Sequence, residues 1–350
     1  MIASISVTQP FATAVRQKVL GLMDVILHIG AHRCATTSFQ YYMRSNADRL
    51  SAQRIGFWGP MRTRAGLFRG ILPGPEVSLN RDIKRRALGR VQLQCAKSVE
   101  LGVEKLVISD ENMLGSMRVN MRFATLYSGA GERLARFGEA FGAYLSDVVI
   151  NIRSPELYWA SAFGFFAQNG RGVPHPGLLD RISQVQRTWR DVITDVACAV
   201  PQARLHVMPF EQFAGRPDAQ LAHLTGQTAP RHFARDAYNQ TPDLTALRQI
   251  MQPGEGDLPD GEGRWMPFTD PQRAMLRETY ADDLMWLVAG ADGLATLVQD
   301  PAQDTLAPSP AHNKAEKHPP QSDMTRGQND DSRHRQVARP GRERAARKTG

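Results

Sequence analysis

The strongest constraint on this chain is the stretch Asp24 to Gln40, DVILHIGAHRCATTSFQ. Val25, Ile26, Leu27 and Ile29 make a short aliphatic run suited to a strand buried on both faces. Gly30 ends the run. Ala31, His32, Arg33, Cys34 and Ala35 follow as a loop of mostly small side chains with one permanent cation, and Thr36, Thr37 and Ser38 are residues that cap and open a helix. Strand, tight loop and hydroxyl-rich helix start make an anion cradle, because the free N–H groups of a helix N-terminus carry partial positive charge. A nucleotide phosphate is the expected occupant, and an ordinary strand-to-helix turn is the plain alternative.

The same theme recurs downstream. Leu106, Val107 and Ile108 form a second buried-type strand that ends in Ser109, Asp110 and Glu111. Asp147 to Ile152 reads as a third, with Arg153 at its end, Ser154 as helix cap and Pro155 as first helical residue. Arg204 to Met208 is a further short strand. Helical periodicity fills the intervals at 36–50, 80–101, 132–145 and 177–200, and again over 270–288 behind a Thr269 or Asp270 cap, where Met275, Leu276, Tyr280, Leu284 and Leu287 make the apolar face. Strands alternating with helices predict an α/β protein, a three-layer α/β/α arrangement around a mainly parallel sheet. In such sheets ligands bind at the carboxyl ends of strands, so Asp110 and Glu111 fall beside the Gly30 loop if their strands are neighbours.

A Walker A loop requires a glycine and a lysine at the fifth and sixth places after its first glycine, where this chain has Ala35 and Thr36. The cation stands earlier, at Arg33. The run GAHRCATTSFQ resembles the first donor-binding motif of the sulfotransferase family, with Arg33 where most members carry lysine and Cys34-Ala35 where Ser-Gly or Thr-Gly is usual. Arg153 and Ser161, eight residues apart, match the family's second motif. Taken alone, that pair reads also as an arginine bound to a surface carboxylate and a serine packed in a helix.

The resemblance covers about residues 23 to 290, with weaker echoes at Phe210-Glu211, at Tyr238-Asn239 beside the donor site and in the last helix. It implies a P-loop-like fold. It further implies transfer of a sulfuryl group from 3'-phosphoadenosine 5'-phosphosulfate to a hydroxyl or amine of a glycan, lipid or small molecule, without a metal. By the same resemblance Thr36, Thr37 and the backbone of residues 31 to 38 (Ala31, His32, Arg33, Cys34, Ala35 and Ser38 with them) bind the 5'-phosphosulfate, Arg33 stabilises the leaving oxygen, and Arg153 and Ser161 hold the 3'-phosphate. Glu111, with Asp110 as substitute, is the candidate general base; the other reading of this pair is loop orientation. His28 reads as a core residue and His32 as lining the donor site.

Composition narrows the rest. At 350 residues with 42% hydrophobic content the chain can bury a sizeable core. Three cysteines, Cys34, Cys95 and Cys198, without C-x-x-C spacing indicate neither a disulfide framework nor a zinc site and fit a reducing cytoplasm. Cys34 is expected to be a small loop residue rather than an activated thiol. The net charge of +8 is divided, because residues 301–350 hold ten Lys or Arg against six Asp or Glu. A body this mildly basic does not argue for nucleic acid. No apolar run is long enough to span a bilayer. The expected organisation is a loose extension over 1–22, one domain over 23–298 and a disordered basic tail over 299–350.

Residues 51–80, rich in Gly and Pro, are expected to form a long loop in which Arg62, Arg64 and Arg69 are solvated or else face an anionic acceptor. Two rival readings stay open: a P-loop kinase or NTPase, with LVISD as its Mg²⁺-binding strand, and a nucleotide-binding scaffold without chemistry.

Overall fold

The computed structural model describes residues 23–72, 81–184, 186–251 and 256–299. The expectations for 1–22, for the end of the 51–80 loop and for the tail beyond residue 299 lie outside the described residues. Among those described, the aliphatic runs pair into a six-stranded, all-parallel sheet of order β2-β3-β1-β4-β5-β6. The strands are β1 Asp24–His28, β2 Ile55–Trp58, β3 Lys105–Ser109, β4 Leu145–Ile152, β5 Arg204–Pro209 and β6 Thr296–Leu297.

Alternation along β1 sorts its side chains into two cores. Val25 and Leu27 join the larger one, where α3 (Arg81–Glu100) contributes Val91 and Cys95, α5 (Ala130–Phe141) Leu134 and Phe137, and α8 (Trp189–Ala199) Val192 and Val196. Ile26 enters the second, against Phe39, Tyr42 and Met43 of α1 (Thr36–Ser45) and Leu221 of α9 (Pro217–Thr225). Helices therefore cover both faces of an all-parallel sheet, which is why its strands carry apolar residues without a polar face. From β1 the chain moves outward to β2, returns to β3 beside β1, and then crosses to β4 on β1's other side. That reversal opens a crevice above the carboxyl ends of β1, β3 and β4.

Several boundaries differ from the sequence reading. The 51–80 segment contains β2, a short edge strand whose Gly56 hides its periodicity; Gly56 is small because a Cβ there would come within 3.0 Å of Val103. The two-residue β6 carries no pattern at all. The helix expected over 36–50 breaks at Asn46, whose amide donates to the Tyr42 carbonyl and to His232 O, and α2 (Ala47–Ala52) begins there. The helix expected over 177–200 is two, α7 (Pro176–Ser183) and α8, because Thr188 forms a capping box with Asp191 and Asp283 accepts from the Thr188 hydroxyl and the Trp189 N–H. Asp283 comes from the last described α-helix, α10 (Asp270–Val288), whose Thr269/Gln272 capping box agrees with the sequence. Its Met275 is exposed and Trp286 is buried instead.

Asp147, in buried β4, anchors the amino end of the sheet. Arg204 donates to its carboxylate at 2.8 and 2.9 Å, and His206 Nε2 lies 2.8 Å away. Burial opposes its charge, but the bonds from His206 and Arg204 outweigh burial and hold the carboxyl at about 2 instead of 3.8. Asp147→Asn is expected to cost about 1–3 kcal/mol near neutral pH. A depressed carboxyl stabilises the fold fully above its unfolded value, so the penalty shrinks as pH falls from about 3.8 toward 2. Urea unfolding of both proteins at neutral and acidic pH measures this; a pH-independent difference would refute it.

Candidate functional site

The loop after β1 takes its shape from the strands beside it. Ladder bonds continue past the end of β1, from Ile29 N to Val149 O, Ala31 N to Asn151 O and Asn151 N to Gly30 O. Gly30 then turns with φ +83°, and a Cβ on it would meet Glu111 Cβ at 2.9 Å. Only glycine fits both demands. Arg33 and Ala35 also stand at φ 61°. A left-handed conformation costs a non-glycine residue roughly 1–2 kcal/mol, a strain that the surrounding contacts hold in place. Ala35 is the N-cap of α1 and supplies no side-chain cap, so the first turn of α1 faces the crevice without a carboxylate or hydroxyl cap of its own.

Above this loop lies a cavity of about 440 Å³ lined by Arg33, Thr36, Thr37, Ser38, Arg153 and Ser161, among others. A larger cleft of about 640 Å³ borders α1, α2 and the residues before β3, at the amino end of the strands and away from the loop. The smaller cavity is where charge and helix terminus meet. Arg33 Nε donates to Ser161 Oγ at 3.0 Å, and its Nη2 donates to Asn239 O at 3.0 Å and Thr241 Oγ1 at 2.9 Å. Burial and the charge of Arg153 lower the Arg33 guanidinium to about 10. Arg153, 4% exposed, donates to the Arg33 carbonyl at 2.9 Å and stacks 4.1 Å from the Phe210 ring. Its Nε is buried with no hydrogen-bond partner. Among the described residues neither arginine forms an ion pair. Arg264 lines the same cavity and adds to the positive potential at Arg153.

The two carboxylates after β3 part company. Asp110 is 2% exposed and does not line the cavity; it accepts from Thr63 Oγ1 at 2.5 Å, from Arg64 Nη2 at 2.8 Å and from the Asn112 N–H at 3.0 Å. Glu111 lines the cavity and accepts from Arg64 at 2.8 Å and Gln40 at 3.1 Å. Burial would raise its carboxyl, but the charge that His32 carries when protonated and that of Arg64 outweigh burial and lower it. Arg64, expected to be solvated or to meet an acceptor, is thus the counter-ion of both acids.

Of the residues singled out from sequence, His32, Arg33, Ala35, Thr36, Thr37, Ser38, Glu111, Arg153 and Ser161 line one cavity. Gly30, Ala31, Cys34 and Asp110 stand behind its wall. His28 is fully buried between Ser109 Oγ at 2.8 Å and Asn151 Oδ1 at 2.7 Å, and burial, partly offset by Asn151, lowers it to about 4. Burial raises the Cys34 thiol to about 12, which makes it an inert loop residue. Tyr238 and Asn239 border the cavity, and Tyr238 stacks on Tyr41 with centroids 4.0 Å apart. Sequence reading missed Thr241, Phe165 and Arg264; Arg264 sits in a Gly-rich run with no local signal, whereas Thr241 follows Tyr238-Asn239 closely enough to have been included. Among the described residues no cluster of three or more His, Cys, Asp or Glu is placed to hold a metal ion, and no helix is long and apolar enough to cross a membrane. Comparison with protein-family models, with curated proteins and with solved structures finds no match.

Gly30→Ala is expected to cost about 2–4 kcal/mol by combining a positive φ with a contact against Glu111, read as a lowered urea midpoint. A loss below about 0.5 kcal/mol would contradict the packing. Thiol labelling of the native protein should modify exposed Cys198 first, with buried Cys34 and Cys95 reacting only after unfolding. Labelling of Cys34 at the rate of Cys198 would show the loop open.

Proposed function

We propose that this chain is a sulfotransferase, moving a sulfuryl group from 3'-phosphoadenosine 5'-phosphosulfate to a hydroxyl or amine. The observation that carries the reading is the convergence of Arg33, half-buried, and Arg153, buried, on one cavity with the start of α1, neither having an ion-pair partner among the described residues. A buried arginine lacking a carboxylate is costly unless an anion completes it, and the free Nε of Arg153 is a donor held for one. A ligand phosphorylated at two ends suits two such cations, since each guanidinium binds a phosphate in bidentate fashion. The resemblance of GAHRCATT and of Arg153 with Ser161 to the family's motifs supplies the choice of donor.

In this reading the first turn of α1 with Thr36 and Thr37 binds the 5'-phosphosulfate and Arg153 with Ser161 takes the 3'-phosphate. Arg33, released from Ser161 and Thr241, stabilises the oxygen that leaves. The acceptor oxygen or nitrogen forms a bond to sulfur as the bond from sulfur to the bridging phosphate oxygen breaks, and the electron pair stays on 3',5'-adenosine diphosphate. Among the described residues Glu111 is the carboxylate at the cavity. With its carboxyl lowered, it is poorly matched to removing a proton before transfer. It orients the acceptor and receives the proton once bond formation to sulfur has made it acidic. Asp110, with its oxygens engaged by Thr63, Arg64 and Asn112, is a support for Glu111.

The kinase or NTPase alternative asks for a carboxylate free to hold Mg²⁺ at the end of β3, and those three partners of Asp110 weigh against it.

Equilibrium binding of 3',5'-adenosine diphosphate against ATP with Mg²⁺ tests the reading; preference for ATP would sink it. Tight binding of the former without sulfate transfer to any acceptor would leave a scaffold. Arg153→Ala should weaken 3',5'-adenosine diphosphate about 10- to 100-fold while leaving 5'-adenosine monophosphate nearly unchanged, erasing discrimination for the 3'-phosphate. Retained discrimination would remove Arg153 from the site.

A further inference from the structure

His32 lines the cavity, and a chain of buried hydroxyls behind it determines where its proton sits. The chain starts at Asn120 in α4 (Met117–Phe123). The Tyr127 N–H donates to Asn120 Oδ1 at 3.0 Å, which fixes the amide so that Nδ2 faces Tyr158 and donates to its hydroxyl at 2.9 Å. Tyr158 belongs to α6 (Pro155–Ala167) and lies 3.2 Å from the Tyr127 hydroxyl. Having accepted from Asn120, Tyr158 places its own proton on Tyr127. The Tyr127 oxygen also accepts the backbone N–H of His32 at 3.0 Å. Two donors now point at that oxygen, and its proton goes to the remaining neighbour, His32 Nδ1, at 2.9 Å. The opposite direction would leave the Tyr158 proton facing an N–H donor.

We infer that His32 is held by Tyr127 and Tyr158 as the neutral Nε2–H tautomer and presents that N–H as a fixed hydrogen-bond donor to an anionic oxygen in the cavity. Its present acceptor, Asn112 Oδ1, is 3.4 Å away, a distance that a bound oxygen readily replaces. An uncharged donor suits a ring whose surroundings already include Glu111, Asp110 and Arg64. Burial lowers its basicity, opposed by Glu111, Asn112 and Asp110 and reinforced by Arg64, which agrees with a ring that stays neutral. The role differs from that of a proton acceptor, since Nδ1 is occupied and Nε2 already carries hydrogen. The ligand half of this inference, that the oxygen belongs to the sulfuryl group, rests on the reading proposed above.

The test is nitrogen-15 NMR of the imidazoles in the full-length protein, with His32 assigned by the signal lost in His32→Gln. The expected result at neutral pH is one neutral species, protonated at Nε2 and bare at Nδ1. An Nδ1–H tautomer or an imidazolium overturns the inference. Tyr127→Phe removes the donor, so both tautomers should appear; an unchanged single tautomer refutes the hydroxyl chain. The wild-type spectrum decides the tautomer even if that variant fails to fold, and it is read in the free protein, independently of nucleotide binding. Inorganic sulfate added to the same sample should shift the Nε2–H resonance, and no shift at saturation overturns the donor role. His32→Gln, which keeps an amide N–H near that position, should bind sulfate within about threefold of wild type, whereas His32→Leu binds about tenfold more weakly or worse. Equal losses in the two variants overturn it as well.

Discussion

The site depends on β1 being hydrogen-bonded on both sides by strands that arrive much later in the chain. β3 pairs with it from Asp24 to His28, and β4 continues past its end, so that Gly30 and Ala31 are still in the ladder when the chain turns. A loop anchored by backbone bonds on the β4 side and by the close approach of Glu111 on the β3 side has little freedom left. It can therefore hold Arg33 and Ala35 in left-handed conformations, which an unsupported loop would relax.

Charge around this loop is divided by position. On the β4 side stand Arg33 and Arg153, solvated poorly and bonded to hydroxyls and carbonyls that leave their charge uncancelled. On the β3 side Asp110 and Glu111 share one counter-ion, Arg64, which half-neutralises the pair and keeps Glu111 ionised. The cavity is thus positive along one wall and carries, among the described residues, a single reachable carboxylate, Glu111, on the other. An anionic donor and an acceptor with a proton to give up are the ligands such a division suits.

Two histidines flank Gly30, and in both burial lowers the basicity of the ring while polar partners fix its position. His28 lies between Ser109 and Asn151, with Asn151 oriented in turn by Gln220 at 3.2 Å, and has no path to the cavity. His32 has one nitrogen against Tyr127 and the other toward Asn112 and the open space. The same residue type becomes a tie between strands in one place and an outward donor in the other. What differs is whether the second nitrogen meets a buried partner.

Much of the fold was legible because its signals are local. Aliphatic runs that end at Gly30, at Ser109 and at Arg153 announce buried strands, and the period of 3.6 announces the helices between them; these follow from backbone geometry within a few residues. β2 and the break at Thr188 were not legible, since Gly56 interrupts one pattern and Asp283, almost a hundred residues away, creates the other. By itself, the sequence determined that a small-residue loop with one cation joins a strand to a helix and that Arg153 and Ser161 stand one strand-to-helix turn of their own later. Only the tertiary structure decided that β1 lies between β3 and β4, that Glu111 reaches the cavity while Asp110 is walled off, and which nitrogen of His32 carries the proton. Those outcomes turn on which partners meet across separations of 95 residues between His32 and Tyr127 or 120 between Arg33 and Arg153, and no local periodicity encodes such distances.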